Sequence, residues 1–284
     1  MRGSEGASGN EAPAAVDRNS AGKCESDEVQ YQLRGMPHLP EDIVFCVDKD
    51  RQVEVEMKVA GSKGQPLTRI DALKQALLLF VHSKLAMFSQ HRFAFATMGQ
   101  TAAWHHRELT NDIDVVNAAV RSLPTDGLYP RCDLYSLFRM VAPDAKQSRA
   151  SGRSFRVIFI YCRSDVVPEL TSQSFSNQQL FTFDALYLHD KPGRENCPQK
   201  VYDALVDVLE RVTMHEGYIY ESGSGLARLL FKQTCLLLSH PQQRCMQEDL
   251  SAPKDLAKPI STSETSTNSI TSRNEDNQGS HSSA

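Results

Sequence analysis

The residues best suited to chemistry follow a short apolar run. Asp42-Ile-Val-Phe-Cys-Val-Asp48 leads directly into Lys49-Asp50-Arg51-Gln52. An Asp closing a buried strand, with polar side chains two and four residues further on, is how some doubly wound folds hold Mg²⁺. A hard cation needs several converging oxygens. Asp165, just after a second apolar run ending at Tyr161, adds a carboxylate, and Thr125 and Asp126 lie in an intervening polar stretch. Asp48, Asp50 and Asp165 are therefore the candidate metal ligands. The set is degenerate, because Gln52 stands where a serine is expected. The alternative is plain electrostatics. Lys49, Arg51 and Arg163 flank these carboxylates and can neutralise them without an ion. On this reading neither a metal nor any other cofactor is expected.

Other chemistry is weaker. The chain has no G-x-x-x-x-G-K-[ST], no G-x-G-x-x-G and no G-x-S-x-G. Glu221-Ser-Gly-Ser-Gly225 precedes a helical stretch and offers backbone N–H groups to an anion, or is simply a strand-to-helix turn. His105 and His106 are adjacent, so on a strand they point to opposite faces and do not chelate together. No Ser-His-Asp or Cys-His pair is evident, and no catalytic residue is expected. The seven cysteines are odd in number and contain no C-x-x-C, which argues against a disulfide framework or a zinc knuckle.

One segment points to binding instead. Leu229-Leu-Phe-Lys-Gln-Thr-Cys-Leu-Leu-Leu238 is apolar on nearly every side, as in a helix that is fully buried or packed on a partner. It runs into Ser239-His-Pro-Gln-Gln-Arg-Cys245, and short Pro/Arg segments of this kind often lie in grooves of other domains. Leu236, Leu237, Pro241 and Arg244 are the expected partner-binding residues. The alternative is a helix that simply ends at Pro241.

The elements that must position these residues alternate. Strands are expected at Asp42–Asp48, Phe93–Met98, Thr101–His105, Phe155–Tyr161, Phe183–Leu188 and Gly217–Tyr220. Helices are expected at Thr68–Phe88, at a segment capped by Thr110 or Asn111, at Cys132–Val141, at Pro198–Met214 and at Ser224–Ser239. A further short helix ends near Gln178–Phe181, and Ala142–Arg153 reads as a polar loop. Such alternation predicts an α/β fold with a mainly parallel sheet, helices on both faces and one antiparallel hairpin.

Composition sets the limits. Of 284 residues, 40% are hydrophobic, below the roughly 45–50% of ordinary globular domains. The deficit lies at the ends. Residues 1–38 have no sustained apolar period, and half of Ser261–Ala284 is Ser or Thr. Segments 1–38 and 251–284 are thus expected to be disordered, leaving one domain over 39–250. A net charge of −4 argues against general nucleic-acid coating. No apolar run is long enough to span a membrane, and Met1–Asn10 has no secretory core, so the expected compartment is cytosol or nucleus.

The order of elements, with its Asp-ended first strand, resembles the von Willebrand factor A-like (Rossmann-like) fold. That family's metal motif, D-x-S-x-S, reads Asp48-x-Asp50-x-Gln52 here, with both serines missing, which argues against metal-dependent adhesion. Several segments are more specifically similar to the von Willebrand A-like scaffold subunits of the BRISC and BRCA-A deubiquitinase complexes. They are Glu41–Asp48, Phe93-Ala94, Thr101–Trp104, Leu109-Thr110-x-Asp112, Val157–Tyr161, Phe183–His189 and Leu236–Arg244, in that order. The resemblance implies a non-catalytic scaffold in a complex that cleaves lysine-63-linked polyubiquitin, acting in the DNA-damage response and in ubiquitin signalling. The implied partners are the ubiquitin-E2-variant-like subunit (brain and reproductive organ expressed protein), a JAMM-type zinc deubiquitinase and its Abraxas-like partner. It implies residence in nucleus and cytoplasm. Truncation before about Ser239 is expected to weaken recovery of the E2-variant-like subunit. The remaining alternative is a metal-dependent ligand-binding A domain.

Overall fold

The computed structural model describes residues 39–58, 67–170, 180–223 and 225–250. The two ends expected to be disordered, and most of the short helix expected before Phe181, lie outside the described residues.

Strand β1 (Glu41–Asp48) is buried at every position, as its unbroken apolar run requires of a strand covered on both faces. Its register is parallel to β4 (Arg92–Met98) on one side and to β6 (Ser154–Tyr161) on the other. Beyond β6 lie β7 (Thr182–Leu188) and β8 (Ile219–Ser222), both parallel. Strand β5 (Ala102–Thr110) returns from β4 as the antiparallel edge. The order β5-β4-β1-β6-β7-β8 changes direction at β1. This is a von Willebrand A-like sheet, mainly parallel as expected.

The period of two along β1 divides the core. Ile43, Phe45 and Val47 face helices α1 (Arg69–Met87), α2 (Ile113–Arg121) and α5 (Ala227–Leu236). Val44 and Cys46 face α3 (Leu134–Ala150) and α4 (Pro198–Val212). A small ladder of β2 (Glu56–Met57) and β3 (Leu67–Thr68), which the sequence reading missed, precedes α1. Thr68 and Asp71 form a capping box at the start of α1, as their spacing predicts.

Three local expectations are corrected. The cap of α2 is Asp112, whose carboxylate accepts from the N–H groups of Asp114 and Val115. Thr110 and Asn111 bond elsewhere. Ala142–Arg153 is mostly helix, not loop. The buried face of α3 continues from Val141 through Ala145 to Ser148, and the helix tolerates Pro143. Small and polar residues carry that face, so no apolar period advertised it. Finally, β8 begins at Ile219 rather than Gly217. The Tyr218 N–H donates to the Asp184 carboxylate, 2.7 Å away, instead of joining a ladder.

The chain after α5 folds back along the sheet through 3-10 turns at Pro241–Gln243 and Gln247–Asp249. There the Gln247 side-chain amide accepts from the Ile219 N–H at 2.8 Å and donates to the Ile219 carbonyl at 2.6 Å.

Candidate functional site

Ligands of open α/β sheets usually bind beyond the carboxyl ends of the strands, where the strand order reverses. Here that place is the end of β1, and Asp48 occupies it. Both its oxygens are fully engaged. Oδ1 accepts from the Asp50 N–H at 3.1 Å and from Arg163 Nη2 at 2.8 Å. Oδ2 accepts from the Cys162 N–H at 3.1 Å, and Arg163 Nε lies 3.1–3.2 Å from the two oxygens. Asp48 and the Arg163 side chain are both completely buried.

Arg163 also donates to the carbonyls of Met98, Gly99, Tyr129 and Arg131, tying β4 and the 124–133 loop to the site. Burial works to lower its pKa, but the Asp48 carboxylate outweighs this and holds the guanidinium above its already high ordinary value. A permanent cation thus sits where a metal would have to sit.

The other candidates are equally occupied. Asp50 accepts from the Gln52 and Tyr129 N–H groups. Gln52 bridges outward, its Nε2 donating to Asp165 at 2.6 Å and its Oε1 accepting from the Ser164 N–H. Thr125 turns to Glu54, and Asp126 pairs with Lys49 on the surface. Asp48, Asp50 and Asp165 do lie near one another, but their oxygens serve Arg163, backbone N–H groups and Gln52. The donor set does not fit a dication. Among the described residues no group of three His, Cys, Asp or Glu side chains is arranged to hold a metal. His105 and His106 lie within β5, and His105 Nε2 is 3.0 Å from both the Ala119 carbonyl and Ser122 Oγ.

The opposite end of the sheet holds a second, larger polar cluster. Lys84 pairs with Glu41, and the other Glu41 oxygen is 3.5 Å from Arg156. Arg156 Nε donates to Asp184 at 2.6 Å, and Arg244 closes the chain with bonds of 2.6 and 3.1 Å to the two Asp184 oxygens. All five side chains are essentially excluded from solvent. Three cations face two carboxylates, and backbone carbonyls offset the surplus. Arg156 donates to Leu237 O at 2.7 Å, Lys84 to Leu238 O at 3.4 Å, and Arg244 to Glu216 O at 2.9 Å. Two of those carbonyls belong to the end of α5, the negative pole of a helix whose last turn carries no basic residue of its own. Burial acts to raise the pKa of Glu41 and Asp184, but the Arg156 guanidinium overcomes it, aided by Lys84 and Arg244 respectively, and both carboxyls stay below their ordinary range.

The expected partner-binding residues lie within or beside this cluster. Arg244 does not project outward. Its guanidinium lies 4.2 Å from the Tyr218 ring centroid and is clamped to Asp184. Pro241 and Leu237 are buried as well, and Leu236, the last residue of α5, is only half-buried. The segment Leu236–Arg244 locks α5 and the chain end onto the sheet. Sequence reasoning missed Glu41, Arg156 and Asp184. Their signal was available: a charge inside an otherwise apolar strand is rarely buried without a partner.

No family model matches the chain. Among curated proteins it is similar to several named BRISC and BRCA1-A complex member 1. It is 24% identical over 233 residues to that of Xenopus laevis, covering 77% of this chain and 69% of the relative. It is 22% identical over 251 residues to that of Rattus norvegicus (84% and 74%). To that of Homo sapiens it is 21% identical over 226 residues (75% and 68%). Similar solved structures include the SpRpn10 VWA domain, at 13% identity and a TM-score of 0.44, covering 69% of this chain and 95% of that one. The TFIIH p34 N-terminal domain is also similar, at 13% identity and a TM-score of 0.46 (68% and 97%). Over three quarters or more of its length, the chain is thus similar, at 21–24% identity, to proteins named BRISC and BRCA1-A complex member 1.

Proposed function

We propose that this chain is a non-catalytic scaffold subunit of a BRISC/BRCA1-A-type complex. The observation that carries the proposal is the similarity to complex members over three quarters or more of the chain. The sheet's switch point supports it, because Arg163 and Asp48 neutralise each other there instead of presenting a reactive or metal-binding group. The activity of the complex is hydrolysis of lysine-63-linked polyubiquitin by a separate JAMM-type zinc subunit. This chain supplies integrity, through contact with the ubiquitin-E2-variant-like subunit and, with it, the Abraxas-like partner of the protease. The role spans the DNA-damage response in the nucleus and ubiquitin signalling in the cytoplasm.

The test is affinity purification of the tagged full chain from cells, followed by a lysine-63-linked diubiquitin assay. Co-purification of the JAMM subunit and the E2-variant-like subunit is expected, with cleavage by the complex and none by the chain alone. Recovery of the chain without either subunit, or cleavage by the purified chain, overturns the proposal.

A further inference from the structure

A cavity of about 700 Å³ opens where the C-terminal end of α1 meets the segment following α5. Met87, Phe88 and Leu238 supply its apolar lining, with His91 and His240 beside them. Its rim is already unusual, since Met87 is 63% exposed, and on the same helix Leu79 is 44% exposed. α1 therefore carries apolar residues on its solvent side as well as its core side, the pattern of a helix that expects cover.

Charge says what kind of cover. Residues 72–107 contain no Asp or Glu, and neither do residues 223–247, although the whole chain carries a net charge of −4. These two stretches include all of α1 beyond its first turn and all of α5, which pack against each other. Past Asp71, no acidic side chain lies on these helices, and the basic ones that reach solvent are Lys74, His82, Arg228 and Lys232. Lys84, which lines the cavity, is paired with the buried Glu41, which also faces Arg156. The residues that line the cavity include no carboxylate, and the exposed acids of the neighbouring α2, Asp112 and Asp114, lie beyond Ser89, whose carbonyl accepts from Asn111; the lining itself leaves an acidic segment unopposed.

We infer that the cavity and the adjoining outer face of α1 dock an acidic segment of a partner protein, one that places one or two large apolar side chains against Met87, Phe88 and Leu238. The inference rests on the scaffold reading and gives that scaffold a docking face. It moves the contact from Pro241 and Arg244, which are turned inward, to a surface that is open.

Two measurements on the full chain test it. In the first, wild type, Met87→Glu and Met87→Lys are each co-expressed with the E2-variant-like and JAMM subunits, and recovery is quantified. Met87→Glu is expected to reduce recovery about tenfold, as truncation of a central anchor does, while Met87→Lys loses less. Thermal melting checks that both variants fold, as a 63% exposed site predicts. In the second, a short fluorescein-labelled Glu/Leu peptide and its Lys/Leu counterpart are titrated by anisotropy. The acidic probe is expected to bind at least tenfold more tightly and to lose that advantage in Met87→Glu.

Equal binding of the two probes, or an unchanged Met87→Glu, overturns the inference. So does a chain that ignores both peptides yet sediments with phosphatidylserine vesicles in a Met87-dependent way, which assigns the face to a membrane surface. If wild type recovers no subunits, the scaffold reading fails on its own, and the peptide titration still decides the docking face.

Discussion

Replacing Arg244 with alanine separates two roles for the chain after α5. The side chain is completely buried, makes two bonds to Asp184, donates to the Glu216 carbonyl and stacks on Tyr218. Removing one member of a buried ion pair costs roughly 3–5 kcal/mol, chiefly because the remaining charge is stranded. Asp184 would keep Arg156 at 2.6 Å and the Tyr218 N–H at 2.7 Å, so the lower end applies, about 3 kcal/mol. A domain of this size has a total stability of roughly 5–15 kcal/mol. At about 2–4 °C per kcal/mol, the melting temperature should fall by about 6–12 °C.

The assay is thermal unfolding followed by circular dichroism, with urea titration as a check. The double variant Arg244→Ala/Asp184→Asn should not recover the loss, because Asp184 also pairs Arg156, whose buried guanidinium would keep only Glu41 at 3.5 Å as a carboxylate partner. Arg244→Lys should fall between wild type and Arg244→Ala, since it keeps the charge but loses the fork and the ring stack. An Arg244→Ala chain that melts within about 1 °C of wild type yet no longer recovers its partners refutes this reasoning. It would mean that Arg244 faces outward in solution.

Two further outcomes are expected. His91 accepts the Glu41 N–H at 2.9 Å, and burial together with Lys84 lowers its pKa to about 4. The unfolded chain binds a proton near pH 6.5, where the folded chain does not. Stability should therefore be full above that value and fall as pH drops from 6.5 towards 4, by at most about 3 kcal/mol. Urea unfolding across that range should show a flatter profile for His91→Gln, and identical profiles would contradict the assignment. Millimolar Mg²⁺ should give no saturable heat and no rise in melting temperature. An isotherm that disappears in Asp48→Ala would show that Arg163 yields its place to the ion.

Much of the framework is legible in the residues. β1, β6 and β7 announce themselves as unbroken apolar runs, and Thr68 with Asp71 marks the start of α1 within a residue. What escaped depends on contacts between distant segments. The helical course of Ala142–Ala150 rests on Ala145 and Ser148 meeting the sheet, which no local period reveals. Arg163 is visible as a flanking cation, but only the fold shows that its guanidinium reaches Asp48 across 115 residues. The same limit hides the inward course of Arg244. A Pro/Arg segment after an apolar helix looks alike from sequence whether it faces a partner or its own sheet. The deciding residue, Asp184, lies 60 positions upstream in β7.

The amide of Gln247 bonding both backbone groups of Ile219 has a practical consequence. β8 is the last strand of the sheet on that side, and an uncovered strand edge is a template for adding another chain. Gln247 closes part of that edge with a side chain that imitates a neighbouring strand. Cutting the chain at Ser239 discards this plug along with Arg244, so it bares a sticky rim and takes from Asp184 one of its two guanidinium partners at the same time. Such a truncated protein should self-associate, and its loss of partners would report a damaged sheet rather than a missing contact. Mapping of the assembly is therefore better done with single substitutions on the exposed side of α1, which leave the plug in place.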